Sequence, residues 1–228
     1  NVVIVTPNYP GGKDAVSGFK RFYKGHVAEE VYTKLGQLDY AAELAQIRAQ
    51  KPDAVFFFLP GGMGINFVKQ FVAAGLSRDT QLFAPGFSAD EDVIKAVGAP
   101  MMGMFNSSHW AHDMDNAENK RFVADFQKEY GRLPSLYASQ GYDAALLMDG
   151  AVRDVKGKVE DKAALQKALE AKRFKSVRGD FKFNSNHYPV QNYYLREVGK
   201  DVEGRITNKL VGTTLEKHQD AYVGACKM

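Results

Sequence analysis

Lys51-Pro52-Asp53-Ala54-Val55-Phe56-Phe57-Phe58-Leu59-Pro60-Gly61-Gly62-Met63-Gly64 decides the fold. Its middle, from Ala54 to Leu59, is apolar without interruption and has turn residues on both sides. A half-buried strand alternates apolar and polar positions. An unbroken apolar run of strand length reads instead as a strand covered on both faces, as in the centre of a parallel sheet. Pro60-Gly61-Gly62 is then a loop. Met63 to Ala74 follows as a helix, with Phe67, Val68 and Phe71 on its inner face.

Outward from this unit the rhythm repeats. Upstream, Asp39 can cap a helix with Ala42, Leu44, Ile47 and Ala49 inward. Before it come extended Val27 to Leu35, a helix from Asp14 to Lys24 stopped by Gly25, and β-branched Val2 to Thr6 ended by Pro7. Downstream, Leu82 to Ala84 and Met102 to Ser107 read as strands around a helix from Ala89 to Val97. Five strands alternating with four helices predict an α/β doubly wound domain. Beyond Asn116 the alternation stops. Ala117 to Tyr130, Leu136 to Val155 and Asp161 to Ala171 are helical with no strand between them. Phe181 to Phe183, Val190 to Val198 and Asn208 to Thr214 then read as antiparallel hairpin strands. Helices with apolar faces need cover, so either they pack on the first domain or their sheet precedes this sequence.

Composition narrows the class. The 228 residues are 45% hydrophobic and 25% charged, an ordinary globular balance. No apolar run approaches the ~20 residues of a membrane helix. Thirty Lys and Arg against 27 Asp and Glu are interspersed, without the basic stripe of a nucleic-acid binder. The single cysteine, Cys226, allows no intramolecular disulfide and no thiolate metal site. The chain opens on Asn1-Val2-Val3-Ile4-Val5, straight into a strand without Met or leader, so processing or truncation is expected to have removed what came before.

Motifs for catalysis are weak. Pro60-Gly61-Gly62-Met63-Gly64 lies where nucleotide folds bind phosphate but lacks G-x-G-x-x-G spacing. Tyr9-Pro10-Gly11-Gly12-Lys13-Asp14 has Asp14 where a P-loop needs Ser or Thr. His109, His112, Asp113 and Asp115 sit close in sequence but lack the spacing of a metal motif. No nucleophile elbow surrounds Ser107 or Ser108. Asp90, Glu91 and Asp92 suit a helix start. What remains is a set of strand ends. Asn8-Tyr9-Pro10, Pro60-Gly61-Gly62-Met63 and Pro85-Gly86-Phe87 would line one rim of the sheet and suit a flat, largely apolar small molecule.

An ordered set of short motifs adds a resemblance. Asp39-Tyr40 opens a helix that ends in Lys51-Pro52-Asp53-Ala54-Val55. Gly75-Leu76, Gly103-Met104, Tyr142-Asp143-Ala144 and Val177-Arg178-Gly179 through Phe181-Lys182-Phe183 follow in order. Over essentially its whole length the chain resembles the periplasmic solute-binding proteins of branched-chain amino-acid type ABC transporters, in their aromatic-acid-binding form. The resemblance implies a type I binding-protein fold, two doubly wound α/β lobes joined by a hinge. It implies that 1–106 and 174–228 form the second lobe and 107–173 the helical part of the first. About 100 residues of that first lobe, the size of a small domain, are expected to precede this sequence.

The same resemblance implies ligand contacts from Tyr9, Pro60, Gly61, Met63, Gly86 and Tyr137, to which the strand-end rim adds Asn8 and Phe87, and a hinge at Ser107, Ser108, Lys175 and Arg178. Amino-acid-binding members place an acid after the proline to pair with the ligand ammonium, and here that position is Gly86. An unpaired buried ammonium costs several kcal/mol, on the order of a broken buried ion pair. The expected ligand is therefore a small aromatic or hydrophobic carboxylate held between two lobes. The expected partners are that ligand and the permease subunits, with no nucleic acid, no membrane insertion, no metal and no cofactor. The protein is expected to be a periplasmic monomer and not an enzyme. A branched-chain amino-acid or amide binder, a ligand-sensing domain of a regulator or receptor, and a flavodoxin-like or Rossmann-like enzyme are the competing readings.

Overall fold

The computed structural model describes residues 1–226. Their contacts divide into two units. The first holds Asn1–Ser107 and Arg196–Lys209, and the second holds Ser108–Leu195 and the chain from Leu210 onward. The chain therefore passes between units three times, after Ser107, Leu195 and Lys209.

In the first unit, strands β1 (Val2–Pro7), β2 (Val27–Thr33), β3 (Ala54–Phe57), β4 (Gln81–Pro85) and β5 (Phe105–Ser108) alternate with helices α1 (Pro10–Phe22), α2 (Ala41–Gln50), α3 (Gly62–Ala73) and α4 (Glu91–Val97). The strand order is β2-β1-β3-β4-β5, and every neighbouring pair is parallel. Right-handed crossovers dictate the layers. Moving from β1 to β2 puts α1 on one face, and moving back past β1 to β3 puts α2 on the other. The packing agrees. Val3, Val5, Val55 and Phe57 face Tyr40, Leu44, Ile47, Phe67 and Phe71 of the α2–α3 layer. Val2 and Ile4 face Val16 of α1, with Phe19 and Phe56 beside them. All six residues of β1 are buried, as a doubly covered strand requires.

Several boundaries differ from the sequence expectation. Helix α1 begins at Pro10 rather than Asp14, because proline's fixed φ and missing N–H suit a first helical position. Strand β3 ends at Phe57, which leaves Phe58 and Leu59 beyond it. Strand β5 begins at Phe105 rather than Met102, because the short helical turn Ala99–Met101 runs on into a turn at Met102 and Gly103, where Gly103 has φ 79°.

The second unit holds helices α5 (Ala117–Tyr130), α6 (Leu136–Asp154) and α7 (Lys162–Glu170), and the short strand β6 (Lys182–Phe183). Two long strands, β7 (Pro189–Lys200) and β8 (Ile206–His218), continue from one unit into the other. Side chains cap all three helices: Asn116 accepts from Asn119 N at 2.8 Å, Ser135 from Ala138 N at 3.2 Å and Asp161 from Ala164 N at 3.0 Å. Trp110, Met114, Phe122, Leu136 and Val177 make the core of this unit, with Tyr194 and Leu210 packed against it. Asp143 on α6 accepts from the Ser176 hydroxyl, from Val177 N at 3.1 Å and from Arg178 Nε at 3.0 Å. These contacts place 174–195 and the chain from Leu210 with the helices, whereas the resemblance implied the other lobe for all of 174–228. The buried Val177 and the Asp143 cluster are the physical reason.

Candidate functional site

Strand order reverses at β1. The connection from β1 leads to one side and β3 lies on the other, so the carboxyl ends of β1 and β3 flank a crevice of the kind where open α/β sheets take ligands. Tyr9 lies two residues past β1, and Phe58 immediately follows β3. Their rings are nearly parallel, at 10° and 6.4 Å between centroids. Phe87, two residues past β4, meets Phe58 edge-on at 88° and 6.5 Å. Three rings therefore run in series across three strand ends. Tyr9 and Phe58 are half-buried and Phe87 is 39% exposed.

The loops beneath the rings are fixed by close backbone approaches. Gly61 precedes α3 with φ 61° and ψ −132°, a conformation that favours glycine. At Gly64 a Cβ would lie 2.3 Å from Leu59 O, so the first turn of α3 packs directly on the β3 loop. Leu59 N donates to Ser88 Oγ at 2.9 Å, which ties the β3 loop to the turn Gly86–Ser88 after β4. Gly86 is buried and supplies no side-chain charge there.

The helix starts on this rim differ from the others. Neither α1 nor α3 has a side-chain cap or an acid in its first turn. Helices α5, α6 and α7 have side-chain caps, α4 carries Glu91 and Asp92 in its first turn, and Asp39 takes a bond from Ala41 N at the start of α2. Uncapped N–H groups at a helix start together attract an anion, an effect of about 0.3–1 kcal/mol per helix start at exposed sites.

The expected contacts divide as follows. Tyr9, Pro60, Gly61, Gly86 and Phe87 lie on the strand-end loops with Phe58, and exposed Asn8 lies at the end of β1, its N–H bonded to Thr33 O at 2.9 Å. Met63 packs against the main core, and its Sδ accepts from Gly36 N at 3.3 Å. Tyr137 belongs to the second unit, 50% exposed in the first turn of α6. Ser107 and Ser108 straddle the first passage between units. Lys175 and Arg178 do not lie at a passage. They sit inside the second unit, Arg178 bound to Asp143 and, through Nη1, to Gln191 Oε1 at 2.9 Å. The other two passages occur within the strands β7 and β8.

Sequence reasoning missed Phe58, hidden at the end of an apolar run, and Ser88, an unremarked serine in a turn. The His109 to Asp115 segment resolves into structural roles. His109 is buried edge-on to Tyr193 at 6.3 Å, and the Asp113 carboxylate accepts from Leu210 N at 2.9 Å. Among the described residues no three His, Cys, Asp or Glu side chains gather as a metal site. No helix among them is long and apolar enough to cross a membrane.

The parallel sheet, its strand order and the three passages of the chain define a type I periplasmic binding protein fold. The profile of the periplasmic binding protein family matches residues 1–203, and the chain belongs to that family. A solute-binding protein of an ABC transporter from R. palustris, solved in complex with benzoate, is 36% identical, with a TM-score of 0.91 over 100% of this chain and 61% of its own. A second, from Rhodopseudomonas palustris HaA2 in complex with p-hydroxybenzoic acid, is 28% identical with a TM-score of 0.89, over 99% of this chain and 62% of its own. The Leu/Ile/Val-binding protein homolog 6 of Brucella melitensis is 32% identical over 227 residues, 96% of this chain and 58% of the relative. The chain thus spans about six tenths of the length of these relatives.

Proposed function

We propose that this chain is part of the periplasmic solute-binding component of an ABC importer, that its solute is a small aromatic carboxylate of the benzoate class, and that it delivers this solute to a permease without chemical change. The ligand ring lies against Tyr9, Phe58 and Phe87, and the carboxylate turns toward the uncapped first turns of α1 and α3. The observation that carries the proposal is the pairing of these rings with two helix starts that lack any acid, beside a glycine at position 86. An amino-acid ligand needs a partner for its ammonium, and Gly86 offers none. The benzoate and hydroxybenzoate complexes of the two Rhodopseudomonas relatives support the same class. Movement at the three passages of the chain, the first at Ser107 and Ser108, accompanies binding.

The name of the Brucella relative favours a second reading, a branched-chain amino-acid ligand. Calorimetric titration of the intact protein with benzoate, 4-hydroxybenzoate, leucine and isoleucine separates the two. Heat from the aromatic acids and none from the amino acids is expected. Binding of leucine with no response to either aromatic acid refutes the proposal.

A further inference from the structure

Asn106, Arg196 and Asn208 each stand within two positions of a passage between units, one at each passage, and all three belong to the first unit. They are also buried, Arg196 at 1% exposure and Asn208 at 0%. Arg196 Nε donates to Asn106 Oδ1 at 2.8 Å, and Asn106 Nδ2 donates to Asn208 Oδ1 at 2.7 Å. Asn208 Nδ2 donates in turn to Glu91 Oε1 at 3.0 Å and to Ala89 O at 2.9 Å. Thr207 Oγ1 and Asn208 N complete the acceptor bonds of Glu91, at 2.7 and 3.2 Å.

The direction of this chain of bonds is set by its ends. A guanidinium only donates, and a carboxylate or carbonyl oxygen only accepts. Two amides placed between them must both point the same way. Turning either one sets donor against donor or acceptor against acceptor. Buried bonds whose donor-to-acceptor order is fixed at both ends specify one arrangement, and interrupting the order leaves a buried amide group unpaired at a cost. The far end of the network reaches the rim. Ala89 and Glu91 follow the turn Gly86–Ser88 that carries Phe87, and Ser88 holds the β3 loop through Leu59 N.

We propose that Glu91, Asn106, Arg196 and Asn208 are positioning residues. Together they join the three passages of the chain into a single pivot on the first unit and tie that pivot to the loop bearing Phe87. Coupling of the pivot to ligand binding rests on the aromatic-carboxylate reading above, but the pivot itself does not.

The test uses the intact protein carrying one dye on the native, exposed Cys226 of the second unit and one on an Asp14→Cys substitution in α1 of the first. Single-molecule transfer efficiency is recorded without ligand and with benzoate. Asn106→Leu keeps the side-chain volume but interrupts the network, and should broaden or shift the ligand-free peak and raise the benzoate Kd at least tenfold. Arg196→Lys keeps a donor at the same end, and should retain the wild-type peak and a Kd within threefold.

An unchanged peak in folded Asn106→Leu overturns the pivot. So does a shift in Arg196→Lys as large as that of Asn106→Leu. Should Asn106→Leu fail to fold by circular dichroism, Glu91→Gln decides. A folded Glu91→Gln with a shifted peak upholds the pivot, whereas an unchanged peak, or failure of both variants to fold, overturns it. Peaks that respond as expected in a protein that gives no heat with benzoate uphold the pivot and refute the ligand class instead.

Discussion

Replacing Phe58 tests the rim directly. The ring stands between Tyr9 at 6.4 Å and Phe87 at 6.5 Å, both near the outer limit for aromatic pairs. Each pair is therefore placed at the low end of its range, ~0.5 kcal/mol, and Phe58→Leu should cost about 1 kcal/mol of stability. In a chain of this size that is a fall in Tm of roughly 2–4 °C. The ligand has more to lose. A benzoate ring lying on the Phe58 face forfeits an aromatic contact of about 1–1.5 kcal/mol, which raises Kd roughly five- to twelvefold. Calorimetric titration with benzoate, at a temperature where circular dichroism shows both proteins folded, gives the ratio of Kd values. A Kd within twofold of wild type, alongside the small fall in Tm, would show that the ring packs only on its neighbours. The rim would then not be the ligand site.

Three further outcomes follow from single contacts. Asp143→Asn removes a buried carboxylate that accepts from Ser176, Val177 N and Arg178, and leaves the guanidinium without its counter-charge; a loss of about 3–5 kcal/mol, seen as a fall in Tm of roughly 6–20 °C, is expected in thermal melts. Gly64→Ala drives a Cβ to 2.3 Å from Leu59 O, so α3 must shift from the β3 loop; about 1–3 kcal/mol of stability should be lost, with weaker benzoate binding, and an unchanged Kd would show that the loop does not hold the rim. Burial, and then the charge of Glu43, push the Tyr40 hydroxyl up from 10.0 to about 12. Because the folded value is the higher one, the associated stability is complete below pH ~10 and is lost as pH rises toward ~12, and Tyr40→Phe should flatten that decline in melts taken at about pH 9 and pH 11.

The alternation of strands and helices was legible because it is local. Each covered strand announces itself in a few consecutive residues, as β1 and β3 do, and the helix starts with side-chain caps are marked by their own neighbours, as Asn116, Ser135 and Asp161 mark α5, α6 and α7. The rim was legible in part, since glycine turns after apolar runs are also local. Phe58 escaped because Phe57 and Phe58 are indistinguishable within one apolar run. Only the end of the strand separates the ring buried in the core from the ring left on the rim. The supposed hinge at Lys175 and Arg178 was misplaced for a related reason. The resemblance implies a hinge there, and nothing local in the stretch speaks against it until Asp143, more than thirty residues upstream on α6, is seen to bind Val177 and Arg178.

Glu91 shows where local reading stops. In sequence it is the middle of an acidic triplet at a helix start, and dipole compensation accounts for it fully. In the fold it is buried, and its partners Thr207 and Asn208 lie 116 and 117 positions away. Apolar packing is non-directional and tolerates small slips between layers, so it cannot by itself fix the angle at which a strand leaves a unit. Directional bonds with an enforced donor-to-acceptor order can. That these bonds join Asn106, Arg196 and Asn208, beside the three passages of the chain, is the physical reason to expect the pivot and the Phe87 loop to move as one body.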